Sequence, residues 1–222
     1  MDDEGVDEIW CLGDTVGYGP HPNEACEIVS TRAAVGLVGN HDLIALDTAN
    51  VSVAEFNPDA GAAAVWTQSV LGDAARGWLQ SLHPETRRDG VALFHGSPVD
   101  PVWDYVLSLE DARQALELTS EDLVLVGHSH IPIAATAIGE EVHGTHAPAA
   151  TAVDLARGRW LLNPGSVGQP RDGDPRAAYL LLDLTVGHAA FCRLPYPVER
   201  TQAAMREAGL PEALAQRLAY GV

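Results

Sequence analysis

The sequence predicts an α/β fold in which two packed β-sheets are covered by helices on their outer faces. The chain has 222 residues, which suits a single domain spanning 1–222 with a sizeable core. Between residues 9 and 126, short apolar runs alternate with helical patterns, and this alternation predicts a mostly parallel sheet. From 133 to 194 strand patterns follow one another directly, which predicts antiparallel pairing. We therefore expect two packed sheets with the helices outside.

The elements follow from apolar runs and from helix start signals. The first four predicted strands are short and apolar, at 9–12, 35–38, 91–94 and 123–126. Helix starts are marked by Pro22, by Asn57 before Pro58 and by Ser108. The helices are predicted at 22–32, 58–71, 73–82 and 109–118, with one or two more within 198–220. The later strands are predicted at 133–138, 142–146, 160–162, 179–184 and 189–194.

Composition and charge restrict the kinds of molecule that the protein is expected to bind. The net charge is −18, and all 13 basic residues are arginines. Such a surface disfavours binding to a nucleic acid duplex or to an anionic membrane, and it repels phosphates unless a metal or a local Arg offsets it. No apolar run is long enough to span a membrane, the first four residues do not resemble a signal peptide, and the three cysteines form no CxxC. We therefore expect a cytoplasmic protein that acts on a small molecule. The oligomeric state is left open, a homo-oligomer included.

Polar side chains follow each of the first four apolar strands. They are Asp14, Asn40, His95 and the pair His128 and His130. Ligand sites of open α/β sheets form beyond the carboxyl ends of the strands, so we expect these side chains to converge. Oxygen and imidazole donors without a thiolate suit Mn²⁺, Fe, Zn²⁺, Ni²⁺ or Co²⁺ in a catalytic site better than a structural zinc site.

Each of these motifs has a plainer interpretation when it is taken alone. Asp14 can simply open a loop, Gly39-Asn40 is typical of a turn, and a lone strand-end histidine such as His95 is usually structural. The adjacent pair His41-Asp42 adds a candidate general acid with a carboxylate to orient it. The recurrence of the pattern at four strand ends favours a metal site over coincidence.

Five motifs, in this order, resemble the signatures of the calcineurin-like metallophosphoesterase superfamily. They are Gly13–Pro20 (GDTVGYGP), Gly39–Asp42 (GNHD), His95–Pro98 (HGSP), Gly127–His130 (GHSH) and Asn163–Arg171 (NPGSVGQPR). The chain is most similar to the small bacterial and archaeal phosphodiesterases often labelled diadenosine-tetraphosphatase-like. The resemblance implies a four-layer αββα sandwich of two mixed β-sheets flanked by helices. It also implies two divalent metal ions and hydrolysis of a small-molecule phosphoester.

The resemblance also implies a role for each strand-end residue. Asp14 would bridge the two metals, Asn40, His95 and His128 would complete the second metal, and His130 would bind the first. His41 would donate a proton to the leaving group, with Asp42 orienting it. Two metals about 3.5–4 Å apart can hold a bridging hydroxide for in-line attack. Mn²⁺ is our expectation, with Fe, Ni²⁺, Co²⁺ or Zn²⁺ as alternatives, and a phosphodiester, nucleotide-type or aryl, is the expected substrate. A diadenosine polyphosphate hydrolase would be the same class with a narrower substrate.

One motif of the superfamily is missing. The family begins with a strand ending in Asp-x-His, and no His follows Asp2, Asp3 or Asp7 in this way. We expect either a true start upstream or a shortened chain, with the first strand missing and only Asp14 and His130 left for the first metal. Such a chain should be poorly stable or weakly active. The alternative function is a non-catalytic metal-binding scaffold, against which the intact pair His41-Asp42 argues.

Two further residues are candidates for contacting substrate. Arg171 and Arg176 flank the segment 172–175 and could clamp a phosphate, or they could belong to a solvated turn with internal ion pairs. Of the two, Arg171 is the better candidate. Tyr18 is expected either to line the pocket or to pack in the core.

Overall fold

The structure is a computed structural model that describes residues 5–48, 53 and 57–222. The acidic residues 1–4, with Asp2 and Asp3, lie outside the described part of the chain. The strands are β1 (Trp10–Cys11), β2 (Val35–Gly36), β3 (Glu85–Arg88), β4 (Val91–Phe94), β5 (Leu123–Leu125), β6 (Ile133–Ile138), β7 (Glu141–His146), β8 (Ala152–Asp154), β9 (Arg159–Asn163), β10 (Ala177–Asp183) and β11 (His188–Leu194). The helices are α1 (Pro22–Arg32), α2 (Asn40–Ala45), α3 (Pro58–Val70), α4 (Asp73–Gln80), α5 (Leu109–Glu117), α6 (Val198–Glu207) and α7 (Glu212–Arg217).

The described strands form three sheets. The large sheet has the order β3-β4-β5-β9-β6-β7, in which β4, β5 and β9 run parallel and the remaining neighbours pair antiparallel. The small sheet has the order β10-β11-β8 and is antiparallel, and β1 pairs with β2 in parallel. The mixed α/β class with flanking helices is confirmed. Within the described residues the β1–β2 pair is hydrogen-bonded neither to the small sheet nor to the large one.

Successive residues of the central strands of the large sheet point alternately to its two faces, and each face packs against a different layer. In β4, Val91 and Leu93 face a core shared with Val153 and Phe191 of the small sheet. The intervening residues of the same strand turn to the opposite face, which α5 covers through Ala112 and Leu116 among others. Both faces of these strands are buried, as expected for parallel strands between two layers. On the far side of the β1–β2 pair, α1 and α4 pack together around Cys26 and Leu79.

Three short elements were not foreseen. Strand β3 is polar along its whole length, and it pairs with β4 through a two-residue turn. The turn residues Asp89 and Gly90 have φ values of 50° and 79°, the left-handed conformation that such hairpin turns need. Strand β8 has only three residues. Helix α2 begins at Asn40, where a turn was the plainer interpretation of the sequence. No helix in the described part of the chain is both long and apolar enough to cross a membrane.

Candidate metal centre

Asp14 lies in a sharp turn directly after β1. Its φ is 52° and that of Gly13 is 95°, so the chain turns away from the strand within two residues. Its Oδ1 accepts a hydrogen bond of 2.9 Å from the backbone N–H of His41. Its Oδ2 is buried and has no hydrogen-bond partner among the described residues, although His95 Nε2 lies 3.5 Å away. A buried carboxylate oxygen without a donor needs a cation or an ordered water.

His95 follows β4 and is 1% exposed. Its Nδ1 lies 2.8 Å from the carbonyl oxygen of Leu12, a distance at which the ring N–H donates to that carbonyl. This assignment leaves Nε2 with a lone pair, directed towards Asn40 Oδ1 at 3.2 Å and Asp14 Oδ2. A histidine that binds a metal through one ring nitrogen usually donates the N–H of its other ring nitrogen to an acceptor such as a backbone carbonyl.

His128 and His130 occupy a turn in which both residues have left-handed backbone, with φ values of 59° and 60°. No hydrogen bond of ordinary geometry reaches either ring nitrogen of His128 from the described residues. The ring of Tyr105 stacks on it at 3.8 Å between centroids. His130 Nδ1 lies 2.8 Å from the carbonyl oxygen of Gln169, which directs its Nε2 away from that carbonyl.

Burial keeps both of these imidazoles neutral. Burial and the neighbouring His95 lower the pKa of His128 to about 4. Burial and the Arg171 guanidinium lower the pKa of His130 to about 3. A neutral imidazole is the form that binds a metal. Burial alone would raise the pKa of Asp14, but His95, His41 and His130 hold it below its usual value, so this carboxylate is charged.

These residues fit a divalent cation. One ligand atom from each of Asp14, His95 and His128 can be chosen so that all three lie within 4.8 Å of one another. The atoms without partners are the ones that such an ion would use, namely Asp14 Oδ2 and a ring nitrogen of His128. Asn40, 4% exposed, brings a neutral oxygen to His95. The structure thus brings together the residues that the sequence predicted for the second metal.

His41 and Asp42 lie in the first turn of α2. The two carboxylate oxygens of Asp42 accept hydrogen bonds from backbone N–H groups, Oδ1 from Val16 at 3.0 Å and Oδ2 from Gly39 at 2.9 Å. Burial and the charge of Asp14 raise the pKa of Asp42 to about 8. These partners tie the start of α2 to the loop after Asp14. Asp42 therefore fixes the backbone of the turn that carries His41, and its orientation of the His41 imidazole stays a prediction.

A cavity of about 450 Å³ opens beside this cluster. Tyr18, Asn40, His41, His128 and Arg171 are part of its lining. The ring of Tyr18 lies 4.4 Å from that of His41, so Tyr18 lines the cavity, and it also packs against the core beneath α7. The Nε and Nη2 atoms of Arg171 donate to Gln169 Oε1 at 3.2 and 2.9 Å, and its Cζ lies 5.9 Å from the Tyr18 ring centroid.

Arg176 has a different environment from Arg171. It donates three hydrogen bonds to the Asp174 carboxylate in an exposed turn. The solvated-turn interpretation is therefore correct for Arg176, and Arg171 alone of the two faces the cavity.

Sequence reasoning missed four residues of the cavity wall. They are Asn57, Trp103, Tyr105 and Arg217. Trp103 and Tyr105 could have been suspected, because two aromatic residues follow shortly after the His95–Pro98 motif. Both are exposed in the structure. Nothing in the sequence around Arg217 distinguishes it from an ordinary arginine at a helix end.

Comparison with known proteins identifies the family. The profile of the calcineurin-like phosphoesterase superfamily domain matches residues 1–187. The chain belongs to this superfamily, and the resemblance drawn from the five motifs is confirmed. Members of the family bind divalent metals and act on phosphoesters, and the Asp14, His95 and His128 cluster agrees with that.

Individual relatives extend over nearly the whole chain. The chain is 32% identical over 224 residues to the uncharacterized protein MJ0912 of Methanocaldococcus jannaschii, with 98% of this chain and 88% of the relative covered. It is similar to the crystal structure of a metallophosphoesterase from Sphaerobacter thermophilus, with a TM-score of 0.89 and 38% identity, covering 100% of this chain and 91% of that one. The crystal structure of the hypothetical protein PH1004 from Pyrococcus horikoshii OT3 has a TM-score of 0.78 at 18% identity, covering 100% and 88%, and shows the same fold.

Proposed function

We propose that the protein is a metal-dependent phosphodiesterase that hydrolyses small phosphodiesters, including those of nucleotide type. The observation that carries this proposal is the buried cluster of Asp14, His95 and His128, with its unpartnered ligand atoms, beside a cavity that also contains His41 and Arg171. The acidic net charge of −18 supports a small molecule rather than a nucleic acid duplex or a membrane as partner. Cytoplasm is the compartment we propose.

The donor set supports two divalent cations. Asp14, Asn40, His95 and His128 would hold one, and Asp14 with His130 would contribute to the other. Their oxygen and imidazole donors suit Mn²⁺, with Fe, Ni²⁺, Co²⁺ or Zn²⁺ as alternatives. When bound, such ions supply Lewis-acid stabilisation of the phosphoryl oxygens and make a water molecule nucleophilic at neutral pH.

The chain's own residues account for the remaining chemistry. His41 lines the cavity and donates the proton that the leaving-group oxygen takes up as the P–O bond breaks. Burial lowers the pKa of His41 while the charge of Asp14 raises it, so the protonated form depends on a nearby negative charge such as a bound phosphate. Arg171, whose Nη1 has no hydrogen-bond partner in the described structure, binds the non-bridging phosphoryl oxygens.

The decisive experiment compares wild type with His41→Ala on two diesters in the presence of Mn²⁺. Bis(p-nitrophenyl) phosphate has a leaving group that departs without a proton, whereas a thymidine dinucleotide loses an alkoxide. We expect His41→Ala to slow the dinucleotide by roughly a hundredfold or more, and the nitrophenyl ester far less. His143→Ala is the matched control, because that imidazole is 59% exposed on β7.

The outcomes separate the two candidate functions. Equal loss on both diesters, or no loss on either, would remove His41 from its role as proton donor. A wild-type protein that binds Mn²⁺ in calorimetry but turns over neither diester would favour the non-catalytic metal-binding scaffold.

A further inference from the structure

The loop between β4 and α5 starts at one candidate ligand and reaches another. Residues 96–106 form this segment, which we term the His95 loop because it follows His95 directly. Near its end the ring of Tyr105 stacks on the imidazole of His128, with 3.8 Å between the centroids and 23° between the planes. The rings of His95 and His128 lie 5.0 Å apart. The loop thus connects two side chains of the candidate metal centre, and the Ser97-Pro98 half of the HGSP motif belongs to it.

The other two candidate histidines are oriented in a different way. His95 and His130 each present Nδ1 to a backbone carbonyl oxygen at 2.8 Å. His128 has no hydrogen bond of ordinary geometry at either ring nitrogen among the described residues, although the backbone of Trp103 approaches its ring. Rotation of a histidine ring about its Cβ–Cγ bond is broad unless a neighbour restricts it. For His128 the neighbour that fixes the plane of the ring is the stacked side chain of Tyr105.

Contacts on both sides of Tyr105 fix its backbone. Ser97, which is 0% exposed, donates its hydroxyl to the carboxylate of Asp104, the residue before Tyr105. The Asp100 carboxylate accepts two backbone N–H groups of the same loop, at 2.9 and 3.1 Å. On the other side of Tyr105, Val106 is buried in the core that α5 covers. The Tyr105 side chain itself is 42% exposed, so the loop and His128 set the position of its ring, and burial does not.

The start of the His95 loop is folded tightly against its own later residues. The backbone N–H of Gly96 donates to the carbonyl oxygen of Pro101 at 2.8 Å. A Cβ atom at position 96 would lie 2.6 Å from the carbonyl oxygen of Asp100 and 3.1 Å from that of Asp104. The backbone next to Tyr105 is therefore packed against the residue that follows His95, and the two candidate ligands are coupled through this loop.

We propose that Tyr105 is a positioning residue of the candidate metal centre, whose ring, held through Asp104 and Ser97, fixes the plane of the His128 imidazole. This inference rests on the proposed metal-dependent function and adds a residue that acts through a ligand. Tyr105 has the role for His128 that backbone carbonyls have for the other two histidines. An imidazole already held in one plane loses less conformational freedom when it binds an ion. Removal of the ring therefore weakens binding of the ion although every ligand is still present.

The test measures the affinity of the protein for Mn²⁺ by calorimetry. We expect Tyr105→Leu to bind Mn²⁺ about tenfold more weakly than wild type, and Tyr105→Phe, which keeps the ring, to stay within about twofold. Asp104→Ala keeps the ring but removes the contact with Ser97, and its affinity should lie between those of these two variants. Tyr220→Leu is the matched control, because that tyrosine is 69% exposed near the end of the chain.

Proton NMR of EDTA-treated protein tests the stacking without metal. Ring protons of His128 over the face of Tyr105 should resonate upfield of those of an exposed histidine, and His128→Gln identifies the resonance. We expect Tyr105→Leu to move this resonance downfield and Tyr105→Phe to leave it in place. An unchanged resonance in Tyr105→Leu would overturn the inference.

Kinetics separate a role towards the ligand from a role towards the substrate. With bis(p-nitrophenyl) phosphate, we expect half-maximal activation of Tyr105→Leu to need about tenfold more Mn²⁺ than that of wild type. At saturating Mn²⁺ its KM should stay within about twofold of the wild-type value, because the metal centre is then filled in both proteins. A raised KM with unchanged Mn²⁺ affinity would overturn the inference and assign the Tyr105 ring to substrate stacking.

Failure of this inference is distinguishable from failure of the proposed function. Equal Mn²⁺ affinity in wild type, Tyr105→Leu and Asp104→Ala would overturn the inference and leave the phosphodiesterase function standing. A wild type that binds Mn²⁺ but turns over no diester would overturn the phosphodiesterase function, and the affinity ratio would still decide the role of Tyr105. If Tyr105→Leu fails to fold, Asp104→Ala takes its place, and undiminished Mn²⁺ affinity there counts against the inference.

Discussion

The Nδ1 atom of His95 lies 2.8 Å from the carbonyl oxygen of Leu12, two residues before Asp14. One end of β1 thus supplies both a carboxylate and the acceptor that orients the histidine at the end of β4. The two candidate ligands are positioned by the same short segment, because Gly13, which lies between Leu12 and Asp14, turns the chain with a φ of 95°. Any change that loosens this segment therefore affects both candidate ligands together.

Replacement of His95 should remove the metal site. We expect His95→Ala to weaken Mn²⁺ binding at least tenfold, because it deletes a ligand and leaves the Leu12 carbonyl without its donor. Calorimetry measures the affinity directly. Thermal unfolding gives a second readout, since saturating Mn²⁺ should raise the Tm of wild type much more than that of the variant. His143→Ala should behave as wild type, and a Tm of wild type that Mn²⁺ and EDTA leave unchanged would contradict this prediction.

Only glycine fits at position 39, because there is no room for a side chain beside the candidate metal centre. A Cβ atom at this position would collide with the Asp14 carboxylate and would lie 2.6 Å from His95 Cε1. We expect Gly39→Ala to displace both ligands and to abolish Mn²⁺ binding, measured by calorimetry. Gly77→Ala is the control, because a Cβ there has nothing within 4 Å and lies in the interior of α4. That control should stabilise the fold by roughly 0.5–1 kcal/mol. Normal metal binding by Gly39→Ala would show that the centre can rearrange.

Asp42 should matter for stability as well as for activity. Its carboxylate accepts from Val16 N and Gly39 N, and an amide in its place would turn an NH₂ group towards one of these donors. We expect Asp42→Asn to lower the free energy of unfolding by about 1–3 kcal/mol. Urea unfolding in EDTA measures this, with an unchanged m-value. Asp73→Asn, exposed on α4, is the control. Loss of activity without loss of stability would instead support an orienting role towards the His41 ring.

The strands and the polar side chains at their ends could be predicted from the sequence because each is a local pattern. An apolar run such as 91–94 followed by His95 predicts both the strand and the side chain that lies at its end. Helix α1 was predicted to the residue, since Pro22 fixes its start. Strand β3 has no apolar pattern, but the Asp89-Gly90 pair was a hairpin signal that could have revealed it.

The remaining features depend on distant contacts. The helix begins at Asn40 because the Asp42 side chain accepts a capping hydrogen bond at its start and a further hydrogen bond from the backbone N–H of Val16. Only the capping contact can be foreseen from the local sequence. Arg217 reaches the cavity because α7 packs on α3 and α6, which no motif records. The backbone role of Asp42 was missed for the same reason, since its partner Val16 is 26 residues away.

The turn that follows Arg171 is anchored by a buried arginine. The side chain of Arg193 on β11 is 2% exposed and pairs with Asp172. Its Nη1 donates to the carbonyl oxygens of Asp174 and Arg176 at 3.3 and 3.1 Å. Within the same turn, hydrogen bonds from Arg176 lower the pKa of Asp174 to about 2. The segment that carries Arg171 thus depends on one carboxylate that remains charged in mild acid.

This carboxylate gives a prediction for the pH dependence of stability. Because the folded-state pKa of Asp174 lies below its usual value near 3.8, the unfolded chain binds more protons than the folded protein between these values. Its contribution is complete above about pH 4 and is lost as the pH falls towards 2. Asp174 is 25% exposed, so we expect Asp174→Asn to cost roughly 1 kcal/mol of unfolding free energy at pH 7. Urea unfolding of both proteins from pH 7 to pH 3 should show the difference shrinking only below about pH 4. A gap between Asp174→Asn and wild type that stays constant to pH 3 would exclude this ion pair as its source.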